Sequence, residues 1–189
     1  MSYLNEQIKE HCGRSSTAKH AHVYYYCYYG HDQDEAVPFL RWLIYQLCRQ
    51  ADIIPHHVYQ IYMQGTEPSL AELLTALDDV LEHYETVFVL VDAVDESTAR
   101  IDLLRIMRDL ATDTRFTKIQ LLASSREYID IERAVESISR PISMANPSVE
   151  EDIRLYVASA LKTDQGFRHW PSDLLKEAEN AVSRGAKGM

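Results

Sequence analysis

Three acids carry the densest chemistry in this chain. Asp92, Asp95 and Glu96 stand together in Val87-Phe-Val-Leu-Val-Asp-Ala-Val-Asp-Glu-Ser97. The apolar run ahead of Asp92 reads as a strand buried on both faces, as in a parallel sheet. Acids at the carboxyl end of such a strand face the crevice where open α/β sheets bind ligands. That placement suits a site for Mg²⁺ and a nucleotide. A bland alternative stands beside it, a polar strand end with Asp95 or Ser97 capping the next helix. A remote third reading is a metal-dependent phosphoesterase built on the same three acids. No Gly-x-x-x-x-Gly-Lys-[Ser/Thr] phosphate loop occurs in the 189 residues, so the half of a nucleotide site that grips phosphate has no counterpart here.

The elements that must position these acids alternate between strand and helix. Val23–Tyr29 has strong β character, and the spacing of Phe39, Leu40, Leu43, Ile44 and Leu47 predicts a helix opened by Pro38. His56–Met63 reads as a short helix stopped by Gly65. Leu70, Leu73, Leu74, Leu77, Val80, Leu81 and Tyr84 form one apolar stripe. Ser69-Leu-Ala-Glu72 ahead of it is a capping box. Strand 87–94 follows, then a helix over 101–111, a buried strand over 118–125 and a short helix near 130–137. Residues 139–144 read as a short edge or irregular strand, because Pro141 cannot donate to a ladder. Ser148-Val-Glu-Glu151 is a second capping-box pattern, opening a helix, and a last helix runs over about 172–183. Leu4 and Ile8 mark a first helix over 3–12. This alternation predicts an α/β fold with a mainly parallel sheet over 1–147, followed by a small helical segment over 148–189.

Composition narrows the function. The net charge is −10, which argues against nonspecific nucleic-acid or anionic-membrane binding. No apolar run is long enough to span a bilayer. The odd count of three cysteines, with no Cys-x-x-Cys, fits a reducing, cytoplasmic setting rather than a disulfide framework. The Tyr24–Tyr29 run has no interleaved Arg or Lys, which argues against a base-stacking platform. His20, His22, His56 and His57 lack ligand-spaced partners and read as surface residues.

The ordered combination of these segments resembles a known family. An aromatic strand at 23–29 precedes Phe39-Leu-Arg-Trp-Leu-Ile-Tyr-Gln-Leu-Cys48. Val89-Leu-Val-Asp-Ala-Val-Asp-Glu96, Leu121-Leu-Ala-Ser-Ser-Arg126 and Glu151-Asp-Ile-Arg-Leu-Tyr-Val157 follow. The chain is similar, over about 4–189, to the NACHT-type NTPase module of fungal NOD-like receptors and ankyrin-repeat proteins, the nephrocystin-like NACHT group. The resemblance implies a three-layer P-loop-NTPase-like core with its central phosphate-loop strand missing, and a fourth strand near 142 left detached or poorly paired. It implies that Asp92 is the Walker B acid holding Mg²⁺ through water, with Ala93 where the family has Gly or Ala. It implies that Asp95 or Glu96 polarises the attacking water, and that Arg126 after Ser124-Ser125 reads the γ-phosphate as a sensor arginine, Ser125 lying beside the nucleotide. Guanidinium suits that task because it stays charged and offers a planar fork to phosphate oxygens. The implied cofactors are Mg²⁺ with ATP or GTP, and the implied action is a conformational switch controlling self-oligomerisation or protein partners. By the family pattern the phosphate loop would lie just before Met1, and Lys187-Gly-Met189 resembles the start of a further element. The chain therefore reads as the middle of a longer protein, inactive by itself. A degenerate NACHT-like scaffold or interaction domain without turnover is the non-enzymatic alternative.

Overall fold

The computed structural model describes residues 2–14, 19–30, 34–143 and 147–186. Two compact units divide the chain, residues 1–139 and 140–189.

The first unit is built on a three-stranded parallel sheet, order β1-β2-β3, of His20–Tyr26, Thr86–Asp92 and Ile119–Ala123. Registers run His20↔Thr86 to Tyr26↔Asp92 and Val87↔Ile119 to Val91↔Ala123. Parallel neighbours need crossovers. The first consists of α2 (Ala36–Ala51), α3 (His56–Gln64) and α4 (Leu70–Leu81), and the second of α5 (Ile101–Thr112). Helix α1 (Ser2–Arg14) precedes β1, and the short α6 (Ile129–Val135) follows β3.

Side-chain alternation puts helices on both faces of the sheet. Ala21, Val23, Tyr25, Val87, Val89 and Val91 are buried on one face, where Phe39 of α2 meets Tyr25 edge to face. On the other, His11 of α1 stacks on His20 and meets Phe88 edge to face. The capping box forms as its residues require. Ser69 Oγ accepts from Glu72 N at 3.3 Å and Ser69 N donates to Glu72 Oε2 at 2.8 Å. The stripe of α4 is buried at Leu73, Leu77, Val80 and Leu81. Tyr84 lies past the helix end, buried, with its hydroxyl donating to Leu47 O at 2.6 Å.

Three expectations shift. Strand β1 begins three residues earlier than its aromatic run and stops at Tyr26, because β2 ends at Asp92 and offers no partner beyond it. One last bond, Cys27 N to Asp92 O at 3.0 Å, closes the ladder. Residues 139–143 are not in a strand, as the missing N–H of Pro141 discourages; Met144 lies outside the described residues. Helix α7 (Pro147–Thr163) starts at the proline, which places Ser148 inside the first turn rather than at the cap.

The outer edge of β1 is closed by side chains of α2. Gln50 acts as a surrogate strand amide, donating to His22 O at 2.8 Å and accepting from His22 N at 3.3 Å. Trp42 Nε1 donates to Tyr24 O at 2.7 Å. Such capping blunts an edge that could otherwise pair with another chain.

The second unit contains α7 and α8 (Ser172–Ala186) packed on each other, with Arg154 and Glu179 paired at 3.2 Å. Among the described residues no helix is long and apolar enough to cross a membrane.

Candidate functional site

The parallel arrangement brings the carboxyl ends of β1, β2 and β3 to one side of the sheet. Asp92 closes β2, and both its oxygens are engaged. Tyr24 OH donates to Oδ2 at 2.9 Å, and the Ser124 hydroxyl donates to Oδ1. Ser124 also accepts from Ala93 N at 3.0 Å, while its carbonyl accepts from Val94 N at 3.0 Å. These bonds hold Ala93 in the left-handed region at φ 57°, an uncommon place for a residue with a Cβ. The chain then turns through a short 3₁₀ segment, Val94–Glu96.

That turn presents the other two acids. Asp95 is nearly buried, its side chain 7% exposed, and its Oδ1 accepts from Arg126 N at 3.1 Å. Arg126 Nε lies 3.5 Å from Asp95 Oδ2, with the Arg126 side chain 64% exposed. The two strands are neighbours, as a joint role for Asp95 and Arg126 requires. The contact is also simply an ion pair between an arginine and an acid at the ends of two neighbouring strands. Glu96 is half-buried and its carboxylate accepts no hydrogen bond among the described residues. Its charge is felt nearby: Glu96 first, then partial burial, then Asp92 and Asp95 push the Tyr26 phenol upward.

Ser125 sits apart from Asp92. It is exposed and its hydroxyl turns to its neighbour's carbonyl, Arg126 O, at 2.6 Å. Successive side chains on an extended segment alternate in direction, so Ser124 and Ser125 cannot both face Asp92.

Four supporting residues were not legible beforehand. Tyr24 and Ser124 are the partners of Asp92, and only the strand registers reveal them. Arg100, with its side chain 14% exposed, braces the turn. It donates to Asp95 O at 3.0 Å and Ser97 O at 2.9 Å, and grips both oxygens of Asp130 at 2.8 and 3.1 Å. Its guanidinium also lies over the Tyr128 ring, 5.1 Å from the centroid. Arg100 thus ties the loop after β2 to the loop after β3. Glu35 is fully buried at the start of α2, where it accepts from Tyr25 OH and from Tyr28 N at 3.1 Å. An acid just before an apolar helix looks solvated in a sequence; here its bonds offset the cost of burial.

The electrostatics are strongly acidic. Burial first, then Glu35, Asp95, Asp92 and Glu96, push the Cys27 thiol up to about 12, so it is no nucleophile at neutral pH. Asp34 links two helix starts, accepting from Ala36 N at 2.8 Å and Asp102 N at 2.9 Å. Ser97 Oγ is buried without a hydrogen-bond partner among the described residues.

Among the described residues no group of three or more His, Cys, Asp or Glu side chains is arranged to hold a metal ion. A carboxylate offers about four lone-pair positions, so Asp92 keeps acceptor capacity for the water shell of a hard cation. Mg²⁺ is bound in just this way, by one or two carboxylates plus waters and substrate phosphates. The donor chemistry of Asp92 therefore fits a water-mediated role, and a cage of direct protein ligands is not what this site offers.

Comparison with known proteins gives one family. The model for Nephrocystin 3, N-terminal, matches residues 1–126, from α1 through the three strands to Arg126. No curated protein and no solved structure matches the chain.

Proposed function

Because this chain belongs to the nephrocystin 3 N-terminal family, we propose that it is a NACHT-type signalling module of the cytoplasm with a P-loop-NTPase-like core. In this reading its sheet end supplies the Mg²⁺ and hydrolysis half of an ATP- or GTP-binding switch that controls oligomerisation. The observation that carries the reading is the convergence of Asp92, Asp95, Glu96 and Arg126 at the ends of two adjacent parallel strands.

Asp92 would hold Mg²⁺ through water, and the ion would neutralise and orient the nucleotide phosphates. Tyr24 and Ser124 fix the Asp92 carboxylate so that it need not reorganise. Glu96, whose carboxylate accepts no hydrogen bond among the described residues, is better placed than Asp95 to take a proton from the attacking water. Asp95 is committed to Arg126. Arg126, whose own side chain is exposed and whose Nε lies 3.5 Å from Asp95, would turn from that pair to meet phosphate oxygens.

A second reading is a NACHT-like scaffold without turnover. It is favoured by the internal engagement of both Asp92 oxygens. Sedimentation velocity separates the two. A switch changes its association state when MgATP or MgGTP is added, whereas a scaffold associates to the same extent with and without nucleotide.

A further inference from the structure

A second place in the molecule is independent of the sheet-end acids. Helices α2, α3 and α4 border a cavity of about 610 Å³ whose buried lining includes Ile44, Leu73 and Ala76. It opens to solvent past Ile54 and Tyr62, and its volume falls within the range of about 300–1,000 Å³ typical of small-molecule sites. Helix α3 covers the cavity without filling it. It has no buried residue of its own and lines the cavity with Val58, Tyr59, Ile61 and Tyr62.

Polar contacts hold that cover at both ends. At its start His57 Nδ1 lies 2.5 Å from Asp79 Oδ2 on α4. At its end Gly65 turns the chain at φ 66°, and Glu67 just beyond pairs with Arg41 of α2 at 2.7 Å. Arg41 is the one charged side chain lining the cavity among the described residues. Its partner Glu67 is 71% exposed, and so exposed a pair is easily displaced.

From the tethered cover, the apolar lining and the single cation at the rim, we propose that this cavity binds a small anionic amphiphile. Its apolar body would lie beneath α3 and its head group on Arg41 in place of Glu67.

Cys48 lines the cavity and reports on it directly. The test uses the whole chain, with dodecanoate as probe and dodecanol as its uncharged counterpart. Affinity is read by calorimetry and occupancy by iodoacetamide labelling of Cys48 relative to Cys12, the thiol on α1. Dodecanoate is expected to slow Cys48 labelling relative to Cys12. Arg41→Gln weakens dodecanoate binding about tenfold, equivalent to about 1.4 kcal/mol, and leaves dodecanol unchanged. Glu67→Gln acts oppositely and tightens dodecanoate, because it releases the cation. Both substitutions lie on the exposed rim, outside the core. Absence of Cys48 protection overturns the proposal. So does equal binding of acid and alcohol that ignores Arg41, which would make the face an apolar docking surface. Protection of Cys48 that tracks protein concentration rather than probe also overturns it, in favour of a second copy.

Discussion

Tyr24 OH, on β1, donates to Asp92 Oδ2 at the end of β2 across 2.9 Å. With Ser124 on the other oxygen, one carboxylate fastens the carboxyl ends of three strands. Burial, followed by the hydrogen bond to Asp92 and its charge, pushes the Tyr24 phenol up to about 12. The acid proposed to meet Mg²⁺ is therefore also a joint of the sheet.

Tyr24→Phe removes one donor and leaves the ring packing intact. The expected loss is about 0.5–1.5 kcal/mol of stability, read as a lower urea midpoint at unchanged slope. An unchanged midpoint would mean that the bond does not restrain Asp92.

Ser124→Ala should cost more, about 1–3 kcal/mol. It strips Asp92 of a donor and Ala93 N of its acceptor at a left-handed residue. Ser125→Ala, one residue on, should fall within about 0.5 kcal/mol, as surface changes do. Equal effects at the two serines would contradict the alternation described above.

Arg100→Met should loosen two loops together. The expected cost is about 1–3 kcal/mol, with faster amide hydrogen exchange at 94–98 and 126–130. Faster exchange in one loop alone would show that Arg100 does not couple them.

Alkaline pH should unfold the chain through identifiable groups. Cys27, Tyr24 and Tyr84 are each pushed up to about 12 from ordinary values of 9.0, 10.0 and 10.0. The folded state holds these protons more tightly than the unfolded chain. Their contribution is whole below about pH 9 for Cys27 and about pH 10 for the tyrosines, and is lost as pH rises toward 12. The urea midpoint should thus fall between pH 9 and 12, less steeply in Tyr24→Phe. Identical slopes would assign the loss to other groups.

Much of this arrangement was legible in residue spacing. The run into Asp92, the stripe from Leu70 to Leu81 and the box at Ser69 and Glu72 each state a period or a cap that local physics enforces. What stayed hidden depends on register. Aromatic preference pointed to 23–29 as strand, but pairing stops where β2 stops, and the partners of Asp92 follow only from which residues lie abreast. Arg100 and Glu35 were hidden for a related reason. A charged side chain beside a loop or helix start looks solvated until its distant partners, Asp130 and Tyr25, are in place.

The most direct test is a titration of the chain with fluorescent ATP and GTP analogues in the presence and absence of Mg²⁺, repeated with Asp92→Asn. That substitution keeps the size of the side chain and removes its charge. Saturable, Mg²⁺-dependent binding that Asp92→Asn abolishes, with the variant still folded by circular dichroism, is the predicted result. Saturable binding that ignores both Mg²⁺ and Asp92 would contradict the nucleotide half-site and leave the scaffold reading in its place.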